Sequence, residues 1–408
     1  MFLRFDCIFT KIEYNKHIMK KVLIFSLTYY PNFFGGAEVA IKEITDRLDQ
    51  NEYSFDMITL QFDSRLPKFE KIGNVNVYRI GLTSKKIDNN RKLPYYLHLN
   101  KYLYIPLAFF KALSLNRKNK YYMTWSMMAT YNSFAALFFK LVNKNIKYVL
   151  TLQEGDPIEY IKRRALPLYP FFKMIFTKAD TIQVISKFLG DWARDMGAKC
   201  PIIVIPNGVN FVLFNTRNEN KISEIKNKFK KGPNDTFLIT TSRLVIKNAI
   251  DDVILSLKYL PNNVKFLILG QGPLKPQFEK IIQDENLLDR VIFVGQMSYK
   301  DMPAYLHASD IFIRPSLSEG FGNSFIEAMA SNIPVIATPV GGIVDFLEDH
   351  KTGLMVNTKD PKDIAEKVNI LINDRELKDK IIKNALEMVK NHYDWELIAS
   401  NMRSKVFI

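Results

Sequence analysis

The sequence predicts an α/β protein of two doubly wound domains, each on a largely parallel sheet, with a ligand cleft between them. Three observations carry this. Short runs rich in Val, Ile and Phe alternate with longer amphipathic segments from end to end, the pattern of repeated strand–helix units. The runs are almost continuously apolar, as strands covered on both faces require. A chain of 408 residues with 47% hydrophobic and 24% charged residues has enough material for two cores and is too apolar to be disordered or fibrous.

In chain order, the first half offers strands at 22–27, 55–61, 75–80, 121–125, 148–152, 181–185 and 202–205. Pro206-Asn207-Gly208 is a turn signal that closes this series. The stretch 215–235 is polar, rich in Lys and Asn, and has no strand pattern. A second series then runs through 237–241, 265–269, 291–294, 311–314, 335–337 and 354–356. The expected domains are 1–208 and 209–391. Doubly wound folds bind ligands beyond the carboxyl ends of their strands, so functional residues are sought in the loops that follow each run.

The formal net charge is +15, from 57 Lys and Arg against 42 Asp and Glu. It is unevenly placed: 31 basic and 17 acidic residues lie in 1–208, and 26 and 25 follow. Between Asn89 and Gln153 there are ten cations, no acidic residue and fourteen aromatics, among them Tyr95, Tyr96, Tyr102, Tyr104, Phe109, Phe110 and Trp125. Cations beside aromatic and apolar side chains suit an anionic membrane surface. The plainer alternative is a Lys- and Asn-rich composition with the aromatics in a core. The charge is confined to one half and no helix-turn-helix, zinc or RNA-recognition signature is present, so no nucleic-acid partner is expected.

Cys7 and Cys200 have neither zinc nor redox-pair spacing and are expected to be reduced thiols in the cytoplasm. No apolar run approaches the ~18 residues of a transmembrane helix. Residues 1–18 lack a signal-peptide core, and at Met19 the text changes to Met-Lys-Lys followed by the first strand. Met19 is therefore the expected native start; mass spectrometry of the native N-terminus tests this, and a peptide containing Cys7 would refute it.

Three loops could carry chemistry. Gly35-Gly36-Ala37-Glu38 joins the first strand to a helix, where paired glycines let a ligand approach the backbone and free helix N–H groups favour an anion. The alternative is a flexible connector. Arg243 and Lys247 lie four apart after the strand 237–241, a planar fork and a point charge suited to a diphosphate, or two solvated surface cations. Most specific is the segment from Arg314 to Ala330. Glu319 lies on its loop, Gly320-Phe321-Gly322 leads into a helix near Asn323, and Glu327 follows eight positions after Glu319. Two carboxylates on one rim can hold a polyol, and helix N–H groups can face an oxygen. Alternatively Glu319 caps the helix and Glu327 is an exposed helix residue making an i,i+4 contact.

Glu319 and Glu327 in the setting Ser-Glu-Gly-Phe-Gly…Glu-Ala-Met-Ala resemble the Glu-x7-Glu motif of retaining glycosyltransferases of the family 4 ("group 1") type. Gly35-Gly36-Ala37-Glu38, Ile205-Pro206-Asn207-Gly208-Val209, Ser242-Arg243-Leu244 with Lys247, Gly270-Gln271-Gly272-Pro273, Phe293-Val294-Gly295 and Pro339-Val340-Gly341-Gly342 follow the family's order, so the resemblance covers most of the chain from Met19. It implies two facing Rossmann-like domains (the GT-B fold), with the nucleotide-sugar donor held mainly by the second. It implies a C-terminal helix, in 392–408, that crosses back to the first domain.

By the same resemblance, Arg243 and Lys247 hold the leaving diphosphate. Glu319 binds the donor sugar, with backbone amides around Phe321, Gly322 and Asn323, and Glu327 binds the ribose. Gly35 and Gly36 close over the phosphates and Met297 lies against the base. No cofactor or metal is expected, since two cations and helix amides can stabilise the leaving group. The acceptor, a glycan or lipid-linked molecule of cell-surface polysaccharide or glycolipid synthesis, would meet the first domain, peripherally attached at the cytoplasmic face of the membrane.

Two departures stand out. Gln153 occupies the place where many members carry a histidine, with Glu154 and Asp156 beside it as candidate donor or acceptor contacts, or a loop turning at Gly155. Lys247-Asn248 replaces the usual Lys-Gly. Rival readings are a nucleotide-sugar epimerase, a non-catalytic homologue, and a glycosidase using two carboxylates without the phosphate loops.

Overall fold

A computed structural model describes residues 19–33, 35–85 and 94–408. The expected extension 1–18 with Cys7, residue Phe34 of the glycine loop and residues 89–93 of the basic stretch lie outside the described residues.

The first sheet contains β1 (Lys20–Phe25), β2 (Tyr53–Leu60), β3 (Phe69–Ile72), β4 (Val75–Ile80), β5 (Met123–Met127), β6 (Lys147–Leu152), β7 (Thr181–Val184) and β8 (Ile202–Val204). Their order is β3-β4-β2-β1-β5-β6-β7-β8, and every pair is parallel except β3–β4. The second sheet contains β9 (Thr236–Thr241), β10 (Val264–Leu269), β11 (Val291–Gly295), β12 (Ile311–Arg314), β13 (Val335–Ala337) and β14 (Leu354–Met355), in the parallel order β11-β10-β9-β12-β13-β14. The expected fold class is therefore the observed one. Strand order reverses at β1/β5 in the first sheet and at β9/β12 in the second, and a crevice opens at such a switch point.

Burial explains which runs became strands. Val22, Leu23, Ile24 and Phe25 of β1, and Phe237, Leu238 and Ile239 of β9, are fully buried between helix layers. The polar stretch after Asn215 is helical over Glu219–Lys228, with Asn218 as its cap and Ile222 and Ile225 turned inward.

The chain passes between the domains twice. The first passage follows β8. In the second, Val209 N–H donates to Tyr393 O (2.7 Å) and Trp395 N–H to Val209 O (3.4 Å). The helix Trp395–Lys405 then packs on the first domain. Phe407 seats its ring among Tyr53, Phe55 and Trp125, and Lys20 and Lys147 donate to the carbonyls of Phe407 (3.1 Å) and Val406 (3.0 Å).

The aromatics of the basic stretch divide. Tyr104 and Trp125 are fully buried, so the surface reading is wrong for these two, which fill the core against β2 and the C-terminal segment. Tyr95, Tyr96, Tyr102 and Phe110 are exposed, and with Leu99, Leu103 and Leu107 they form an outward apolar face on the helix Asn100–Asn119 and the turn before it. No described helix is long and apolar enough to cross a membrane. Cys200 is a free, half-buried thiol.

Candidate active site

The two crevices face each other, and of the sequence-predicted residues Lys247, Glu319, Gln153, Asn323 and Gly36 come together where they meet. Arg243 and Lys247 follow the carboxyl end of β9, while Glu319 and Glu327 follow that of β12, so both groups flank the second switch point.

Lys247 reaches across the domains: its Nζ donates to Gly155 O (2.7 Å) and lies 3.4 Å from Asp156 Oδ1. Ser318 Oγ donates to the same carbonyl (3.3 Å). A Cβ built on Gly155 would stand 2.9 Å from Lys247 Nζ and 3.2 Å from Glu319 Oε1, so cation and carboxylate converge there. Gly320 packs so closely that its own Cβ would fall 2.0 Å from Glu154 O, which leaves room for no other residue type.

Glu319 does not cap the helix, which corrects that alternative; its Oε2 pairs with Arg314 Nη2 at 2.9 Å. Arg314, buried at the end of β12, also donates from Nη1 to Ser324 Oγ (2.7 Å) and lies 4.3 Å from the Phe325 ring centre. This residue anchors the loop. The motif reading gave it no role, and the signal was its position: a charge closing the apolar run Ile311-Phe312-Ile313.

Gly322 takes a left-handed conformation (φ +96°) as the helix Asn323–Ala330 begins, which turns the main chain from the loop into the helix. The Phe321 ring is buried against Phe346 and Tyr393 and does not reach the surface of the cleft. Glu327 is half-buried rather than exposed, correcting that alternative. Burial pushes its carboxyl up to about 7, with the Arg314 guanidinium opposing.

A second cluster joins the domains through amides. Gln153 Nε2 donates to Asn207 Oδ1 (3.0 Å), and Asn207 Nδ2 donates to Gln153 Oε1 (3.1 Å) and to Asn323 Oδ1 (3.2 Å). A Cβ on Gly36 would lie 3.5 Å from Asn323 Nδ2, so the glycine loop abuts this network. Gly35 N–H donates to Glu38 Oε2 (2.9 Å), which ties the loop to its own helix. Asn207 was read as part of a turn and of the family's interdomain segment, without a contact of its own.

Arg243 is exposed and among the described residues forms no ion pair, while Asn248 Nδ2 donates to its carbonyl (2.7 Å) and braces the turn. Met297 is half-buried after β11, beside an unobstructed Gly295. Among the described residues, no hydrogen bond or ion pair joins Met297 or Arg243 to the Glu319 cluster. Glu154 is buried; its Oε1 accepts from Ala129 N–H (2.5 Å), its Oε2 has no partner, and desolvation lifts its carboxyl to about 7.

Comparison with known proteins supplies a frame for this geometry. Residues 34–212 match the model described as Glycosyltransferase Family 4, and residues 221–388 that of Glycosyl transferases group 1. An uncharacterized glycosyltransferase of Methanocaldococcus jannaschii is 26% identical over 404 residues, 95% of this chain and 97% of its own. The capsular polysaccharide biosynthesis glycosyltransferase CapM of Staphylococcus aureus is 33% identical over 211 residues, 48% of this chain and 52% of its own. Sucrose-phosphate synthase from Thermosynechococcus elongatus superposes with TM-score 0.79 at 21% identity, covering 94% of this chain and 97% of that one. Anabaena HepE, solved with UDP and glucose, superposes with TM-score 0.76 at 18% identity, covering 95% and 99%.

Proposed function

The chain is a glycosyltransferase of the group 1 type with the GT-B fold, and from that premise we propose that it moves a sugar from a nucleotide-sugar donor to a glycan or lipid-linked acceptor, with retention at the anomeric carbon. The observation that carries the site assignment is the convergence of Lys247 Nζ and Glu319 Oε1 on Gly155, where the two crevices meet. That HepE is described in complex with UDP-glucose supports the choice of donor class.

In this reading Arg243 and Lys247 bind the diphosphate, the Lys247 ammonium exchanging its Gly155 carbonyl for a phosphate oxygen. Glu319 is oriented by Arg314 to accept from the sugar hydroxyls, and the amides at Gly322 and Asn323 add donors. Glu327 faces the ribose, Gly35 and Gly36 cover the phosphates, and the open side of Gly295 near Met297 takes the base. The bond from the anomeric carbon to the diphosphate breaks and a bond from the acceptor oxygen to that carbon forms on the same face. The acceptor's proton passes to the departing diphosphate oxygen. Charge on the leaving group is stabilised by the two cations, which is why the proposal is metal-independent. The epimerase and non-catalytic readings have no specific observation in their favour. The exposed apolar face of the first domain supports attachment to the inner, cytoplasmic surface of an anionic membrane, where surface polysaccharide or glycolipid is made.

Incubation with UDP-, GDP- and ADP-sugars should release nucleoside diphosphate from one class. Glu319→Ala and Lys247→Ala should each lower release by about 10²–10³-fold with folding unchanged. Full activity in both variants would refute the site.

A further inference from the structure

A cavity of about 410 Å³ lies at the switch point of the first sheet, beneath Leu27, Met128 and Glu154, which follow the carboxyl ends of β1, β5 and β6. It shares Gly155 and Asp156 with the cluster around Lys247 and Glu319, so its inner end adjoins the proposed transfer site. Its contents differ from those of a purely sugar-binding cleft.

The walls are hydrocarbon: Ile105, Phe134, Ile161, Leu168 and Phe172. The inner end holds Glu154, buried and with Oε2 unpartnered, where an unmet carboxyl oxygen is costly unless a ligand donor meets it. The rim carries Lys101 and Arg164, neither in an ion pair among the described residues. Lys101 Nζ lies 5.0 Å and 5.7 Å from the ring centres of Tyr102 and Tyr131, which themselves pack edge to face at 5.2 Å. The Arg164 guanidinium hydrogen-bonds the Tyr131 and Tyr160 side chains, so the rim carries two cations held among phenols with no carboxylate partner among the described residues, a setting that suits an anion.

Ile105 also lines a second, almost wholly apolar groove with Pro106, Phe109, Phe110, Leu141 and Val142. That groove opens on the exposed apolar face of the helix Asn100–Asn119.

We propose that this cavity is the acceptor site and that its occupant is a phosphate-bearing lipid. A hydroxyl of the occupant donates to Glu154, its phosphate sits between Lys101 and Arg164, and its hydrocarbon chain leaves along the Ile105–Phe110 groove. A neutral glycan would leave both the cations and the groove unused. The inference rests on the transferase reading and deepens it by fixing the acceptor class.

The test is binding of farnesyl phosphate, farnesol and inorganic phosphate below their aggregation limits, measured by calorimetry on the full chain, with UDP, GDP and ADP titrated separately. Farnesyl phosphate should bind at least tenfold more tightly than farnesol, and inorganic phosphate should not compete at equal concentration. Arg164→Gln, a change at an exposed position, should bring farnesyl phosphate down to the farnesol level, and Ala165→Phe should fill the cavity and abolish binding of both. Equal binding of farnesyl phosphate and farnesol would overturn the proposal, as would equal binding of inorganic phosphate or indifference to both substitutions. Binding of UDP, GDP and ADP, titrated in the same way, separates the two layers. If one of the three binds and farnesyl phosphate does not, the acceptor assignment alone is wrong; if none of the three binds, the transferase site itself is wrong.

Discussion

Glu154 sits where ionisation is costly. Burial lifts its carboxyl from 4.5 to about 7, so the folded chain holds this proton more tightly than the unfolded chain does. The stabilisation is present below about 4.5 and is lost as pH rises through about 7. Glu327, raised to about 7 by the same cause, acts in the same direction. Urea midpoints of the native chain should therefore fall between about pH 5 and pH 7.5, and Glu154→Gln should make that fall shallower without removing it. Identical slopes in the two proteins would contradict the burial account. Among the candidate residues, Lys247 and Glu319, which the fold brings together at Gly155, stood out in the sequence through their places after apolar runs and through resemblance to the Glu-x7-Glu motif, as did Arg243 and Glu327. Arg314 and Asn207 did not, because their partners Glu319 and Asn323 are brought to them by folding of the loop and by domain contact.

The C-terminal segment acts as part of the first domain although the second domain intervenes in the chain. Trp395, Ile398, Met402 and Phe407 are buried in the same cluster as Val22, Phe55 and Trp125. Phe407→Ala in the full chain should cost about 3–5 kcal/mol in chemical denaturation, whereas Tyr95→Ala, at a side chain 92% exposed, should change stability little. Equal effects would show that the segment is not part of the core. Strands were largely legible: β4, β12 and β13 occupy the residues their apolar runs predict, and most others differ by one or two at an end. β3 was missed. Its sequence Phe69-Glu70-Lys71-Ile72 is half polar because it is an antiparallel edge strand with two residues exposed, outside the parallel pattern used to find the rest.

At the scale of the molecule, the charge asymmetry coincides with the exposed apolar face. Leu99, Leu103 and Leu107, together with Tyr102 and Phe110, recur at helical spacing on the outer side of the helix Asn100–Asn119, in the half of the chain that carries the excess cations. The protein should sediment with phosphatidylglycerol vesicles, far less with phosphatidylcholine, and be released by salt; Phe110→Asp should weaken the attachment severalfold. Absence of any preference for anionic lipid would end this reading. The fold class was readable from alternating runs, but this division of aromatics between core and surface was not, since composition does not say which side of a helix meets solvent.

The double passage between the domains has a mechanical consequence. Its two strands lie side by side, joined through Val209, Tyr393 and Trp395. Two bodies tied along one short line can swing about it but cannot slide past each other or drift apart. A rotation about that line would part Lys247 from Gly155 and Asn207 from Asn323 together, and its reversal would return them to the same register. In the proposed reaction, one such rotation would serve both entry of the donor and its alignment with the acceptor.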